Sequence, residues 1–269
     1  MKQISRLWYY ATSIVTLLTR FERPFQILAI FLGRPGSVPA EIQVKKGGYR
    51  FKIREAMDAW VIKETCVDHD YLSPADFQPH WTVVDIGAGL GDFTVFAAKQ
   101  CPDGVVFAYE PLEESFQLLQ HNLALNQITH VKIFQQATAS SSGSMTAAHE
   151  PGKAVSTRFV AETAGIGAKE GLIPVISLAE ILNRLPDGRC HLLKVDCEGC
   201  EFDLLMNSPP ELLAQVERLS VETHDGYTGR SAVQLADYLK QQGFTVQLRA
   251  NPVHAYLSFL YAERPGQNP

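Results

Sequence analysis

The sequence has no uninterrupted run of about twenty apolar residues, the length a membrane-spanning helix requires. Its richest apolar stretch, residues 7–32, is broken by Arg20, Glu22, Arg23 and Pro24, so neither half is long enough. Basic residues are also short: 24 Lys and Arg stand against 29 Asp and Glu, a net charge of -5, which argues against a nucleic-acid-binding face. Cysteine is scarce and odd in number. Five in 269 residues do not read as a disulfide framework, and a reducing, cytoplasmic compartment is the simpler expectation. No small-residue cleavage site follows the apolar start, so no secretory leader is expected. No segment recurs at a fixed period, which argues against repeat architectures.

What is present is the composition of a folded domain, 46% hydrophobic and 20% charged, long enough for one α/β domain with an appendage. The boundary is expected near residue 75, with an appendage over 1–75 and the main domain over 76–262. In the appendage, residues 7–32 read as one or two helices. Two roles stay open for residues 1–40: packing on the main domain or on a second copy of the chain, or peripheral contact with a membrane through Trp8, Tyr9, Tyr10 and the run 25–32. Residues 33–39, with two glycines and two prolines, read as a linker, and the alternation on either side of Lys46-Gly47-Gly48 reads as a β-hairpin.

From Trp81 onward strands and helices alternate. Strands are expected at 82–86, 105–109 and 131–134, with helices at 92–100 and 112–125 between them. Residues 138–171, rich in Ser, Gly, Ala and Thr, read as short irregular strands and loops. Ser177 reads as a helix N-cap with Glu180 three residues on. Further strands follow at 191–195, 219–222, 245–248 and 255–260, with helices at 202–206 and 232–242. Such alternation implies a mostly parallel, doubly wound α/β sheet, whose ligands bind outside the carboxyl ends of the strands.

The chemically suggestive residues fall at those ends. Asp85-Ile86-Gly87-Ala88-Gly89-Leu90-Gly91 carries a strand into a tight turn opening a helix, where glycines let the backbone approach a ligand. Its third glycine comes one residue too early for the dinucleotide fingerprint, which favours a nucleoside without pyrophosphate. Glu110, followed by Pro111, ends the next strand where a carboxylate can accept two ribose hydroxyls. Asp196 closes a later strand and is expected to face the same crevice as Asp85; Glu198 and Glu201 are spaced to share a helix face, where acids in a first turn suit the macrodipole and helix capping is the plainer role. Glu222 and His224, two apart on a strand, point the same way. His224 is the first candidate for a general base, and Asp196, Glu222 and His224 together could instead hold Mg²⁺ or another divalent cation. Cys197 and Cys200 invite a zinc or redox reading, but only one pair is present, and small buried cysteines under the site are the expectation.

Taken together, DIGAGLG at 85–91, EP at 110–111, Asn122, LN at 125–126, QQA at 135–137, KVDCEGCE at 194–201 and VETH at 221–224 resemble the FkbM-type methyltransferases. The resemblance runs from about residue 60 to 259, and Glu64 and Tyr71 could match an acid and a tyrosine ahead of the first strand. It implies a class I methyltransferase fold (Rossmann-like) binding S-adenosyl-L-methionine. The ribose would be held by Glu110, adenine would pack near Ala137, and the methionine end would lie on the 85–91 loop with Asp85, Gly87, Ala88 and Gly89. The activity so implied is methylation of a hydroxyl on a sugar, glycolipid or natural-product-like small molecule. The alternatives are an NAD(P)-dependent oxidoreductase and a non-catalytic cofactor-binding scaffold.

Overall fold

The computed structural model describes residues 2–72, 76–148, 158–161 and 172–266. The appendage begins with α1 (Lys2–Arg20) and α2 (Pro24–Phe31), two helices as the apolar stretch suggested. Pro24 opens α2 at a position where no backbone N–H is needed. Strands β1 (Ala40–Gln43) and β2 (Arg50–Ile53) pair antiparallel across the Lys46–Gly48 turn. Helix α3 (Ala56–Lys63) then leads toward the main sheet.

That sheet contains β3 (Thr82–Ile86), β4 (Val105–Tyr109), β5 (Val131–Phe134), β10 (Leu192–Val195), β11 (Arg218–His224), β12 (Thr245–Ala250) and β13 (Leu257–Glu263). Its order is β12-β13-β11-β10-β3-β4-β5. All pairs are parallel except the two made by β13. From β3 the chain winds outward through α4 (Asp92–Gln100), β4, α5 (Glu113–Leu125) and β5. It then returns to place β10 on the other side of β3. The order therefore reverses between β3 and β10, the switch point where a doubly wound sheet leaves a crevice. The carboxyl ends of β3, β4, β10 and β11 carry Asp85, Glu110, Asp196 and Glu222.

Side chains alternate across the sheet with period two. Val83, Val106, Ala108 and Leu192 face α4, α5 and the appendage in one core. Val84, Ile86, Phe107, Leu193, Val195 and Leu219 face the other core. The helices over that second core include α6 (Leu178–Asn183), α7 (Glu201–Met206), α8 (Pro210–Leu213) and α9 (Ala232–Gln241). The first core runs unbroken from Leu17, Phe21 and Ile27 to Phe93 and Phe96, so the appendage is packed into the same interior. Ser177 caps α6, its Oγ accepting from the Glu180 N–H at 3.3 Å.

A second sheet was not expected in this form. Strands β6 (Ala137–Ala139), β7 (Gly143–Ala148), β8 (Arg158–Ala161) and β9 (Leu172–Ser177) form four strands in the order β6-β9-β7-β8. The rest of the loop reading for 138–171 lies outside the described residues.

Two asparagines, one on α5 and one at its C-cap, fasten the appendage to the domain. Fully buried Asn122 accepts from the Lys52 N–H at 2.7 Å and donates to Lys52 O at 3.2 Å and Leu90 O at 2.9 Å. Asn126 makes the equivalent pair with Arg50, at 3.0 and 2.6 Å. The two amides act as a strand edge for β2, pairing backbone N–H and C=O groups of Arg50 and Lys52 along its free side. Asn122→Ala should therefore cost about 2–4 kcal/mol and Asn126→Ala about 1 kcal/mol in urea unfolding. Equal costs at the two positions would contradict this assignment.

Candidate functional site

A cleft of about 210 Å³ opens at the switch point. Gly87, Gly89, Glu110, Pro111, Ala137 and Asp196 line it, six of the residues expected to hold a cofactor. The turn after β3 adopts left-handed backbone at both Gly87 (φ 72°) and Gly89 (φ 54°). A Cβ at Gly87 would lie 1.7 Å from the Asp196 carbonyl oxygen, so glycine is what lets the ends of β3 and β10 come together. A Cβ at Gly89 would meet nothing within 4 Å, which leaves backbone open to a ligand. Ala88 is buried and does not line the cleft; its N–H and that of Gly87 donate to Tyr109 O at 3.0 Å.

Glu110 is oriented from both sides. Its Oε2 accepts from the Gly89 N–H at 2.8 Å and its Oε1 from the Leu112 N–H at 2.9 Å. Each oxygen keeps a second lone pair for a ligand hydroxyl. Burial raises its pKa, and the two backbone N–H groups oppose that.

Asp85 is placed otherwise than expected. It is fully buried beneath the turn, where Oδ2 accepts from Thr94 Oγ1 at 2.5 Å and Oδ1 lies 3.1 Å from Lys194 Nζ. It supports the loop and does not line the cleft. Lys194 itself, on β10, donates to Gly87 O at 2.7 Å and lies 3.9 Å from Asp196 Oδ2.

Asp196, Glu222 and His224 are brought into one neighbourhood, but Tyr71 stands among them. The Tyr71 hydroxyl donates to Asp196 Oδ2 at 2.6 Å, and its oxygen lies 2.9 Å from Glu222 Oε2. One hydroxyl proton cannot serve both carboxylates. Burial, then repulsion from Asp196, pushes Glu222 up to about 8, so near neutrality Glu222 carries the proton that completes the chain. The divalent-cation reading is corrected accordingly: Tyr71 fills the position between the two acids. Among the described residues no group of three or more His, Cys, Asp or Glu could hold a metal ion.

The general-base reading of His224 is likewise revised. Its N–H donates to Glu201 Oε1 at 2.7 Å, and its ring Nδ1 lies 3.2 Å from the same oxygen. Burial would lower its pKa, but the Glu201 bond and the charges of Asp196 and Glu201 outweigh it and hold the ring at about 9. A ring protonated at neutral pH donates hydrogen bonds and cannot take a proton. Neither His224 nor Glu222 is among the residues lining the cleft.

The residue that sequence reasoning placed elsewhere is Glu198. It precedes α7 in left-handed backbone (φ 50°) and so shares no helix face with Glu201, which is fully buried and accepts from the Gly199 N–H at 2.8 Å. Glu198 instead lines the cleft beside Asp196, and burial, then Asp196, pushes it up to about 7. The turn that aims it is closed by a disulfide between Cys197 and Cys200. This corrects the expectation of free cysteines: the left-handed Glu198-Gly199 pair (φ 50° and 112°) brings the two Cα atoms to 5.5 Å. Cys66, Cys101 and Cys190 are free and buried. Glu64 serves packing; it accepts from Tyr9 at 3.1 Å and from Trp60 Nε1 at 2.8 Å.

A family model described as a methyltransferase FkbM domain matches residues 85–246, more than half of the chain. The chain belongs to the FkbM methyltransferase family. The strand ends just described, from Asp85 through Glu222, all fall within the matched region. Among curated relatives it is 26% identical over 238 residues to Methyltransferase sdnD of Sordaria araneosa, covering 78% of this chain and 90% of that one. It is also 26% identical over 183 residues to Methyltransferase 1 of Beauveria bassiana, covering 62% and 73%. A solved Methyltransferase FkbM from Methylobacillus flagellatus aligns with a TM-score of 0.48 at 15% identity, over 77% of this chain and 54% of that one. That likeness is too loose to add to the topology described above.

The two glycines of this FkbM domain should respond differently to alanine. Gly87→Ala should cost about 3 kcal/mol or more, because its Cβ meets backbone. Gly89→Ala should cost only the left-handed strain of about 1–2 kcal/mol, yet lose ligand binding. Urea unfolding and ligand titration of both variants check this, and a Gly89 variant that binds normally would contradict it.

Proposed function

We propose that this FkbM methyltransferase uses S-adenosyl-L-methionine to methylate a hydroxyl oxygen of a small molecule of sugar, glycolipid or natural-product type. The observation that carries this reading is the pairing of two walls across one glycine-lined cleft: Glu110 on one, Asp196 and Glu198 on the other. The first suits a ribose diol, and the second suits a ligand that bears positive charge. Ala137 and Tyr109 offer an apolar surface between them for a flat base. When bound, the cofactor supplies a methyl group on a cationic sulfur, ready for in-line displacement.

The chain's own contribution is positioning, dryness and the handling of one proton. Glu198, held at about 7, is matched to accept the proton of an acceptor hydroxyl near neutral pH. Tyr71 fixes Asp196 at 2.6 Å, and Glu201 fixes both the Gly199 turn and His224. No step calls for a divalent cation. A small-molecule acceptor also fits the net charge of -5, which is unsuited to gripping nucleic acid.

The rival readings separate in one experiment. S-adenosylhomocysteine at roughly hundredfold excess over its dissociation constant should raise the melting temperature by about 5 °C. Glu110→Ala should abolish that rise, and NAD should produce none. A rise with NAD alone would overturn the proposal in favour of an oxidoreductase. S-adenosylhomocysteine binding without methyl transfer to any of a broad panel of hydroxyl acceptors would favour the scaffold.

A further inference from the structure

The helices of the appendage bury one side and leave the other apolar. On α1, Ser13 and Leu17 face inward at 2% exposure, while Trp8, Ile14 and Val15 are 72%, 52% and 60% exposed. On α2, Ile27 and Ile30 are buried, whereas Phe25 is 84% exposed and Leu32, at the C-cap, 67%. Trp8, Val15 and the intervening Ala11 follow helical spacing and form one stripe; Phe25, Leu28 and Leu32 form another. The hydroxyls along the first stripe are satisfied within the helix: Thr12 donates to Trp8 O at 2.9 Å, and Thr19 to Val15 O at 2.7 Å. Polar groups that bond back to their own helix are suited to an apolar surrounding.

Charge identifies the occupant. Residues 1–52 carry nine Lys and Arg against two acids, whereas the rest of the chain carries 15 against 27. Arg20, Arg23, Arg34, Lys45 and Lys46 are all exposed. A second copy docked face to face through this region would oppose two basic surfaces. An anionic bilayer offers the complementary charge at its headgroups and an apolar layer below them. None of the described helices is long and apolar enough to cross a membrane, so these helices would lie in the interface plane.

We propose that α1 and α2 dock the protein on an anionic lipid surface, with Trp8, Val15, Phe25 and Leu32 inserted at the headgroup level. Helix α3 lies directly beneath: the Trp60 ring packs against Tyr9, Tyr10 and Phe31 at 5.8–6.4 Å, while the neighbouring Val61 lines the cleft. The docking face is thus one helix away from the site, and docking holds the cleft beside the bilayer. This inference stands independently of the acceptor proposed above.

The test uses the full chain and flotation with phosphatidylcholine vesicles with or without phosphatidylserine. Binding is expected to the anionic vesicles only, weakening as salt rises. Trp8 fluorescence should shift to the blue on binding, and that shift should vanish in Trp8→Phe. Arg20→Glu/Arg23→Glu/Arg34→Glu and, separately, Phe25→Ser/Leu32→Ser should each reduce binding by about tenfold or more. Unchanged melting temperatures and unchanged S-adenosylhomocysteine binding would show that these exposed changes leave the fold intact. No flotation with anionic vesicles would overturn the proposal, as would equal binding by either variant. Concentration-dependent dimerisation abolished by Phe25→Ser/Leu32→Ser, without vesicle binding, would assign the face to a second copy instead.

Discussion

Lys194 is the cation on which the site is built. It is buried on β10, 3.1 Å from Asp85 on β3, and it donates at 2.7 Å to the carbonyl of Gly87 in the following turn. Burial alone would lower its pKa, yet Asp85, Asp196 and Asp92 more than offset this and hold it protonated. A charge in that position ties two neighbouring strand ends together where the strand order reverses. Without it the first aspartate would be a buried, uncompensated anion, which is among the costlier defects a core can carry. The crevice of a doubly wound sheet is a consequence of topology; its shape here is set by this ion pair and by the absence of a Cβ at Gly87.

From that anchor the acids sort themselves by depth. Asp85 and Glu201 are fully buried and act on the backbone and on other side chains. Asp196 and Glu198 reach the cleft, and Tyr71 joins Asp196 to Glu222 behind them. Burial, and after it repulsion from Asp196, raises the pKa of Glu198 to about 7 and that of Glu222 to about 8. A cationic ligand would relieve that repulsion, so the strain among the acids is itself a form of complementarity. His224 contributes one positive charge to the same balance.

Much of this was legible in the sequence because the parallel strands are short apolar runs ending at punctuation. The 82–86, 105–109 and 131–134 segments coincide with β3, β4 and β5. The order of the motifs placed Glu110 and Asp196 at the strand ends around one crevice. What escaped was whatever depends on a fine backbone turn or on distant chain. Glu198 looked like a helix residue because spacing cannot reveal a left-handed φ. The Cys197–Cys200 disulfide depends on that same turn. Tyr71 lies 125 residues from Asp196, and only the fold shows that its hydroxyl separates the acids taken for metal ligands. The small sheet of β6, β7, β8 and β9 was hard to read because β6 and β7 are rich in Ala, Ser and Thr, β8 is only four residues long, and β9 contains Pro174.

A thermodynamic cycle on the pair at the base of the site tests the account most directly. Lys194→Met should cost about 3–5 kcal/mol in urea unfolding, because it strands Asp85 in the core. Adding Asp85→Asn should recover a large part of that loss, with a coupling energy of at least about 1 kcal/mol. Costs that simply add would contradict the claim that this ion pair holds the ends of β3 and β10 together.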